Sequence, residues 1–247
     1  VKSKGVDEID LAAPRPGDKK VRIKMAVYNV ACGQWTTPEK VALEMKRHNL
    51  DILGLNEMPR LIKGGAGQQW CDRLASGLDM PYVYSGEISS ANHGAPRWAD
   101  ESKKYEGKYK AILSKTPLLD TREFKLTGGN WNPASTVRAV TVVRGVRLAF
   151  YSLHVNTHWK DLEKVFAADK EFHVLAGGDY NHSNYPAFDK AANMRDGRWD
   201  VEGKKSIDRI FYRPNGKVKC VFNDVIRAEI KMSDHPYAVS VFEFDSP

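Results

Sequence analysis

The stretch Val174-Leu175-Ala176-Gly177-Gly178-Asp179-Tyr180-Asn181-His182 runs from apolar residues into a carboxylate, an amide and an imidazole. Its apolar part, His173 to Ala176, reads as a buried strand. Asp179 and Asn181 are two positions apart, so in extended chain they point the same way. Left unpaired in a core, such groups cost free energy. At the wet edge of a sheet they can hold a ligand. An Asp after a strand is also a common turn residue, so the chemical reading depends on what else reaches that edge.

Several other polar groups sit at the ends of apolar runs. Asn29 closes VRIKMAVYN, Glu57 closes DILGLNE, and His154 closes RLAFYSLH. Asp208 lies within the alternating segment SIDRIFY, and Asp234-His235 precede the last apolar run. Oxygen donors dominate this set, with two imidazoles and no thiolate pair. Such donors suit a hard cation, Mg²⁺ or Mn²⁺, whereas zinc would want more His or Cys. A cation held by one or two carboxylates, with water left over, grips phosphate oxygen. Proton removal from water needs an imidazole oriented by a carboxylate. Asp208 can orient His235, since an acid placed within a strand demands a donor. Together these groups describe hydrolysis of a phosphate ester by activated water.

The elements around them have to bring the strand ends together. Residues 21–30 read as a strand. Thr36 and Glu39 have capping-box spacing and open a helix with Pro38 in its first turn. The segment 51–57 reads as a second strand. A strand, helix and strand in succession should give a parallel pair, with Asn29 and Glu57 at the carboxyl edge where ligands gather in α/β sheets. A helix is expected over 68–78 and a strand over 82–87. Residues 89–108 read as a long polar loop carrying His93, Arg97, Trp98, Lys103, Lys104, Tyr105 and Lys108. Interleaved cations and rings suit a nucleic-acid strand. Further strands are expected over 109–115, over 137–144 and 146–155 as a hairpin about Gly145, and over 206–212, 218–228 and 237–244. Arg138 lies just inside the hairpin's first strand, and 161–172 reads as a helix. Trp98 and Trp199 are candidates to stack on bases.

With 247 residues and no internal repeat or linker, the chain reads as one catalytic domain over 21–247 behind a flexible lead-in, 1–20. A net charge of +7 favours polyanionic partners, nucleic acid or an anionic surface. Cys32, Cys71 and Cys220 show no CxxC spacing, which argues against a disulfide framework or zinc cluster and favours an intracellular, reducing compartment. No apolar run approaches a membrane span and no signal segment is evident. The chain does not begin with Met, so the compartment stays open. A monomer is expected.

Taken in order, YNV with Asn29, LNE with Glu57, AILSKTP around Leu113, a strand bearing Arg138, SLHV with His154, GGDYN with Asp179 and Asn181, SIDRIF with Asp208, and SDHP with Asp234 and His235 resemble the endonuclease/exonuclease/phosphatase superfamily. The resemblance spans residues 21–244 and is carried by the ordered set. It implies a four-layer α/β sandwich, two mixed β-sheets packed face to face with helices on the outside. It implies Glu57 as the main metal ligand, Asn29 in the metal and water network, and Asp234 as a second metal contact. Asp179 and Asn181 would position or activate the nucleophile. His235 would act as base or phosphate-polarising group, oriented by Asp208, and His154 would bind the phosphate. Whether Asp179 or His235 is the base stays open at this level. Arg138, Tyr105 and Lys108 would contact substrate. Tyr109-Lys110 stands where the family frequently has Gly-Asn. The expected activity is a metal-dependent phosphodiesterase acting on nucleic acid, DNA favoured. The alternative is a phosphatase or phosphodiesterase on small or lipid phosphate esters, of inositol phosphate or sphingomyelin type.

Overall fold

The structure is a computed structural model that describes residues 20–62, 67–90, 105–182, 193–201, 205–215 and 217–245, without the Trp199 side chain. The chain runs β1 (Lys20–Asn29), α1 (Pro38–Lys46), β2 (Ile52–Leu61), α2 (Trp70–Gly77), β3 (Tyr82–Ser85), β4 (Tyr105–Ser114), β5 (Leu119–Leu126), β6 (Ala134–Val143), β7 (Val146–His154), α3 (Trp159–Ala168), β8 (His173–Asp179), β9 (Arg195–Asp196), β10 (Asp208–Tyr212), β11 (Val218–Ile226) and β12 (Tyr237–Asp245). The strands form two mixed six-stranded sheets, β11-β12-β1-β2-β4-β3 and β5-β6-β7-β8-β10-β9.

The central strands are apolar on both faces because both faces are covered. In β1, Val21, Ile23, Met25 and Val27 meet Leu148, Phe150, Leu175 and Ile210 of the opposite sheet. Ala26 and Tyr28 face outward into a cluster with Val41 and Met45 of α1 and Trp70 and Leu74 of α2. Leu162 and Phe166 of α3 cover the outer face of the second sheet. The result is the four-layer α/β sandwich, helix–sheet–sheet–helix.

Each sheet is built around one parallel pair. β1 and β2 are parallel, with Asn29 beside Asn56, and α1 connects them. β7 and β8 are parallel, with His154 beside Asp179, and α3 connects them. Antiparallel neighbours start where these strands end: Tyr237 of β12 lies beside Tyr28, and Asp208 of β10 beside Asp179. Strand ends from both sheets therefore open on one rim.

Several expectations are corrected. Thr37, not Thr36, is the N-cap of α1, its hydroxyl accepting from Lys40 N. β4 begins at Tyr105, so the end of the expected 89–108 loop is strand. β5 was not anticipated; its LDTREFKL sequence is mostly exposed and carries little apolar alternation. Asp208 opens its strand rather than lying within it. The lead-in to residue 19, and His93, Arg97, Trp98, Lys103 and Lys104, lie outside the described residues, as does the Trp199 side chain.

Candidate active site

Asp179 is the hub of the rim. It is buried at the last position of β8. Asn29 Nδ2 donates to its Oδ2 at 3.0 Å and Asn181 N to its Oδ1 at 2.8 Å. Two imidazoles face the same Oδ2, His154 Nε2 at 3.5 Å and His235 Nε2 at 3.7 Å. Burial alone would raise this carboxyl, but the hydrogen bond and charge of His154, the charge of His235 and the Asn181 amide hold it below the ordinary range. Gly178 makes the approach feasible. Its φ is 147°, and a Cβ there would lie 1.9 Å from Leu153 O and 2.9 Å from the Asn56 amide.

Asp208, first in β10, faces Asp179 across the sheet, and its Oδ2 lies 2.9 Å from His235 Nδ1. His235 is held from behind as well: Ser233 Oγ accepts from His235 N at 3.1 Å and donates to Asn29 O at 2.7 Å. Burial pulls the imidazole pKa down, yet the Asp208 hydrogen bond and the charges of Asp208 and Asp179 outweigh it and push it up to about 9. Burial, with the charge of Asp179, raises the Asp208 carboxyl. The pair therefore holds a proton at neutral pH, and the two carboxylates favour it on the imidazole.

Glu57 approaches from the other sheet. The β2–β4 register slips between Leu55 and Met58, and Glu57 has φ 47°. Side chains other than Gly, Asn and Asp rarely adopt that conformation, and such strain clusters at functional sites. His154 Nε2 lies 3.6 Å from Glu57 Oε1, while Cys32 Sγ and Lys108 Nζ each lie 3.4 Å from Oε2. Burial raises the Glu57 carboxyl, but His154 and Lys108 outweigh this and hold it low.

The rim thus gathers Asn29, Glu57, His154, Asp179, Asn181, Asp208 and His235, with Lys108 at its edge. Asp234 is exposed beside it, accepting from the Ser233 hydroxyl at 3.3 Å. Arg138 and Tyr105 are elsewhere. Arg138 Nε and Nη2 bond Asp169 at 2.7 and 2.6 Å, and Nη1 bonds Asp120. The Tyr105 hydroxyl bonds Gln68 O. Both serve the scaffold. His158 is also structural, its Nε2 lying 3.1 Å from Trp131 O. Sequence reasoning missed Asn56, whose Oδ1 accepts from Asp179 N at 3.1 Å and whose Nδ2 donates to Ser152 Oγ. Its position beside Glu57, in the same abrupt polar ending of an apolar run, was the available signal.

Oxygens of Asp179 and Asp208 and a ring nitrogen of His235 lie within 4.8 Å of one another. Asp208 Oδ1 is buried with no hydrogen-bond partner among the described residues. Two buried carboxylates, one carrying an unsatisfied oxygen, with Glu57 on the other side of His154, fit a hard divalent cation.

The profile of the Endonuclease/Exonuclease/phosphatase family matches residues 26–235. The chain belongs to the endonuclease/exonuclease/phosphatase family. Enzymes of the endonuclease/exonuclease/phosphatase family are phosphoric ester hydrolases that depend on a divalent metal. No curated protein sequence matches the chain. Solved structures share the fold at low identity. A family member from Beutenbergia cavernae has a TM-score of 0.71 at 15% identity, covering 91% of this chain and 72% of its own. Beta toxin from Staphylococcus aureus, with bound magnesium ions, has a TM-score of 0.63 at 16% identity, covering 89% and 99%. TDP2 from D. rerio, complexed with a single-strand DNA product, has a TM-score of 0.59 at 14% identity, covering 90% and 98%. Among the described residues, no helix is long and apolar enough to cross a membrane.

Proposed function

We propose that the chain is a divalent-metal-dependent nuclease, with DNA favoured, that hydrolyses a phosphodiester by attack of water. The observation that carries the reading is the Asp208–His235–Asp179–Asn29 relay, which joins both sheets across one rim. Glu57 would hold the Mg²⁺ or Mn²⁺, with Asn29 in the surrounding network through Asp179, and exposed Asp234 would supply a second contact. The ion would supply Lewis acidity to a phosphate oxygen and a site for water.

The residues divide the remaining work by charge. Asp179 stays ionised and is the proton acceptor for the water. Its second oxygen is held by Asn181 N, and Asn29 fixes its orientation. His235 carries a proton between two carboxylates, so it donates to the phosphate rather than accepting from water. Asp208 keeps that imidazole turned toward the substrate. His154, buried against Trp131 with ring centroids 4.7 Å apart, presents Nε2 to the same space.

The net charge of +7 and the DNA-bound TDP2 neighbour support nucleic acid as the substrate. A lipid or small phosphate ester is the second reading. It is favoured by Trp35 and Ile230, apolar and exposed on the loops flanking His235, with Lys231 Nζ 4.4 Å from the Trp35 ring. A panel of plasmid, single-stranded DNA, abasic duplex, RNA, inositol phosphate and sphingomyelin, with Mg²⁺, Mn²⁺ or EDTA, tests these. Nicking that needs metal and falls steeply with salt supports the nuclease. Turnover of only the small or lipid esters replaces it with the second reading.

A further inference from the structure

Glu57 is the buried acid on which cation binding rests in the reading above, yet both of its oxygens already face donors. His154 covers Oε1, and Cys32 and Lys108 cover Oε2. A divalent ion that binds this carboxylate competes with them for its lone pairs. His154 is 1% exposed and wedged against Trp131. Cys32 is fully buried in a tight turn, at φ 57°. Lys108 differs. Its side chain is 12% exposed, and its charge sits on a flexible four-carbon stem. Its backbone is fixed, N donating to Ser89 Oγ and O accepting from Ser90 N, both at 3.0 Å. It lies in the irregular part of the β2–β4 ladder, between the Met58–Tyr109 and Arg60–Glu106 pairs and next to Gly107 at φ 91°. The backbone anchor is fixed, and of the three donors only this one sits at the end of a long stem that reaches the surface.

We infer that Lys108 is a tethered cation that occupies the Glu57 carboxylate until a divalent ion takes its place, and then turns its ammonium to a phosphate oxygen of the substrate. The ammonium keeps the buried acid compensated in the ion-free protein, where an unpaired charge would be costly. The arriving ion brings two charges to replace one and frees the lysine beside the reacting phosphate. Lys108 therefore competes with the metal when substrate is absent and assists substrate binding when metal is present. This inference rests on the metal-dependent reading.

The test is Mn²⁺ binding to substrate-free full-length protein, followed by electron paramagnetic resonance and calorimetry. Lys108→Met and Lys108→Gln should each bind Mn²⁺ about tenfold more tightly than wild type, because the competitor is gone. Lys108→Arg keeps the charge and should bind no more tightly than wild type. With Mn²⁺ saturating, Lys108→Gln should raise KM for the phosphodiester about tenfold and change kcat little. Agreement between the Met and Gln variants excludes a packing artefact of either. If wild type binds Mn²⁺ and neither variant binds it more tightly, the role of Lys108 is overturned while the metal-dependent reading stands. If neither wild type nor either variant binds Mn²⁺, both fall.

Discussion

The two parallel strand pairs do the same job by different local means. In the second sheet, β7 and β8 stay in register to their last residues, and Asp179 arrives beside His154. Of the two glycines before it, Gly178 lets the backbone run against Leu153 and Asn56, and Gly177 makes room for Val27 and Ile210. In the first sheet, β2 stays in register with β1 through Asn56 but slips against β4 after Leu55, and Glu57 takes a left-handed backbone conformation. One sheet delivers its acid through residues without side chains; the other delivers it through a bulge that the surroundings must hold. The flanking strands differ in parallel fashion. β6 buries Arg138 against the Asp169 carboxylate. β4 buries Lys110 on Ile88 O and Ser90 Oγ, with no carboxylate bonded to it among the described residues. A regular edge can be rigid and inert, whereas an irregular edge leaves room for charges that respond to ligands.

The comparison can be broken most directly at the hub. Asp179→Asn should lower kcat about a thousandfold while the circular dichroism spectrum stays native; near-normal turnover would remove Asp179 from its role. Arg138→Met should leave Asp169 buried with only the Tyr151 hydroxyl to compensate its charge and cost about 3 kcal/mol in urea unfolding. Residual activity per folded molecule should survive, marking the residue as scaffold. Gly178→Ala should cost roughly 3 kcal/mol, since the new Cβ meets backbone rather than a movable side chain. A stable alanine variant would show that the second sheet does not need that close approach.

Lys110 sharpens the contrast through pH. Burial lowers its pKa from 10.5 to about 8. Between those values the unfolded chain binds more protons than the folded one, so this group makes the protein more stable as pH rises from 8 to 10.5. Below pH 8 the burial penalty is complete, about 3 kcal/mol. Lys110→Met should flatten the rise, so that the stability difference between variant and wild type shifts by about that amount between pH 7 and 10.5. Parallel curves would show that the ammonium is already compensated. The smallest effect is at the bulge. Glu57→Gly should be more stable than Glu57→Ala by about 1 kcal/mol, the reverse of the usual order, because only glycine accepts the left-handed backbone without strain.

What the sequence revealed follows the same division. Asn29, Glu57, His154 and Asp179 could be read because an apolar run ending in a polar group is visible along the chain, and parallel pairing places such ends together. The Asp208–His235 contact could be argued from the need of a buried acid for a donor. Arg138 could not be placed. Its partner Asp169 follows α3 and is close only in space, so the strand sequence could not distinguish an ion pair from a substrate contact. β5 escaped because an exposed strand need not alternate. Lys108 was read as substrate-binding from its place in a basic segment; its contact with Glu57 depends on a register slip that no spacing rule reports.

Ser233 ties His235 to the end of β1, and β12, which follows, is β1's own neighbour. The first described strand is therefore completed by the last. During synthesis a growing chain makes Asn29, Glu57 and Asp179 before it makes His235 and the strand flanking β1. The rim therefore cannot close around Asp179 until residues 233–235 have been made and β12 has paired with β1, so the two sheets must come together before the centre is whole.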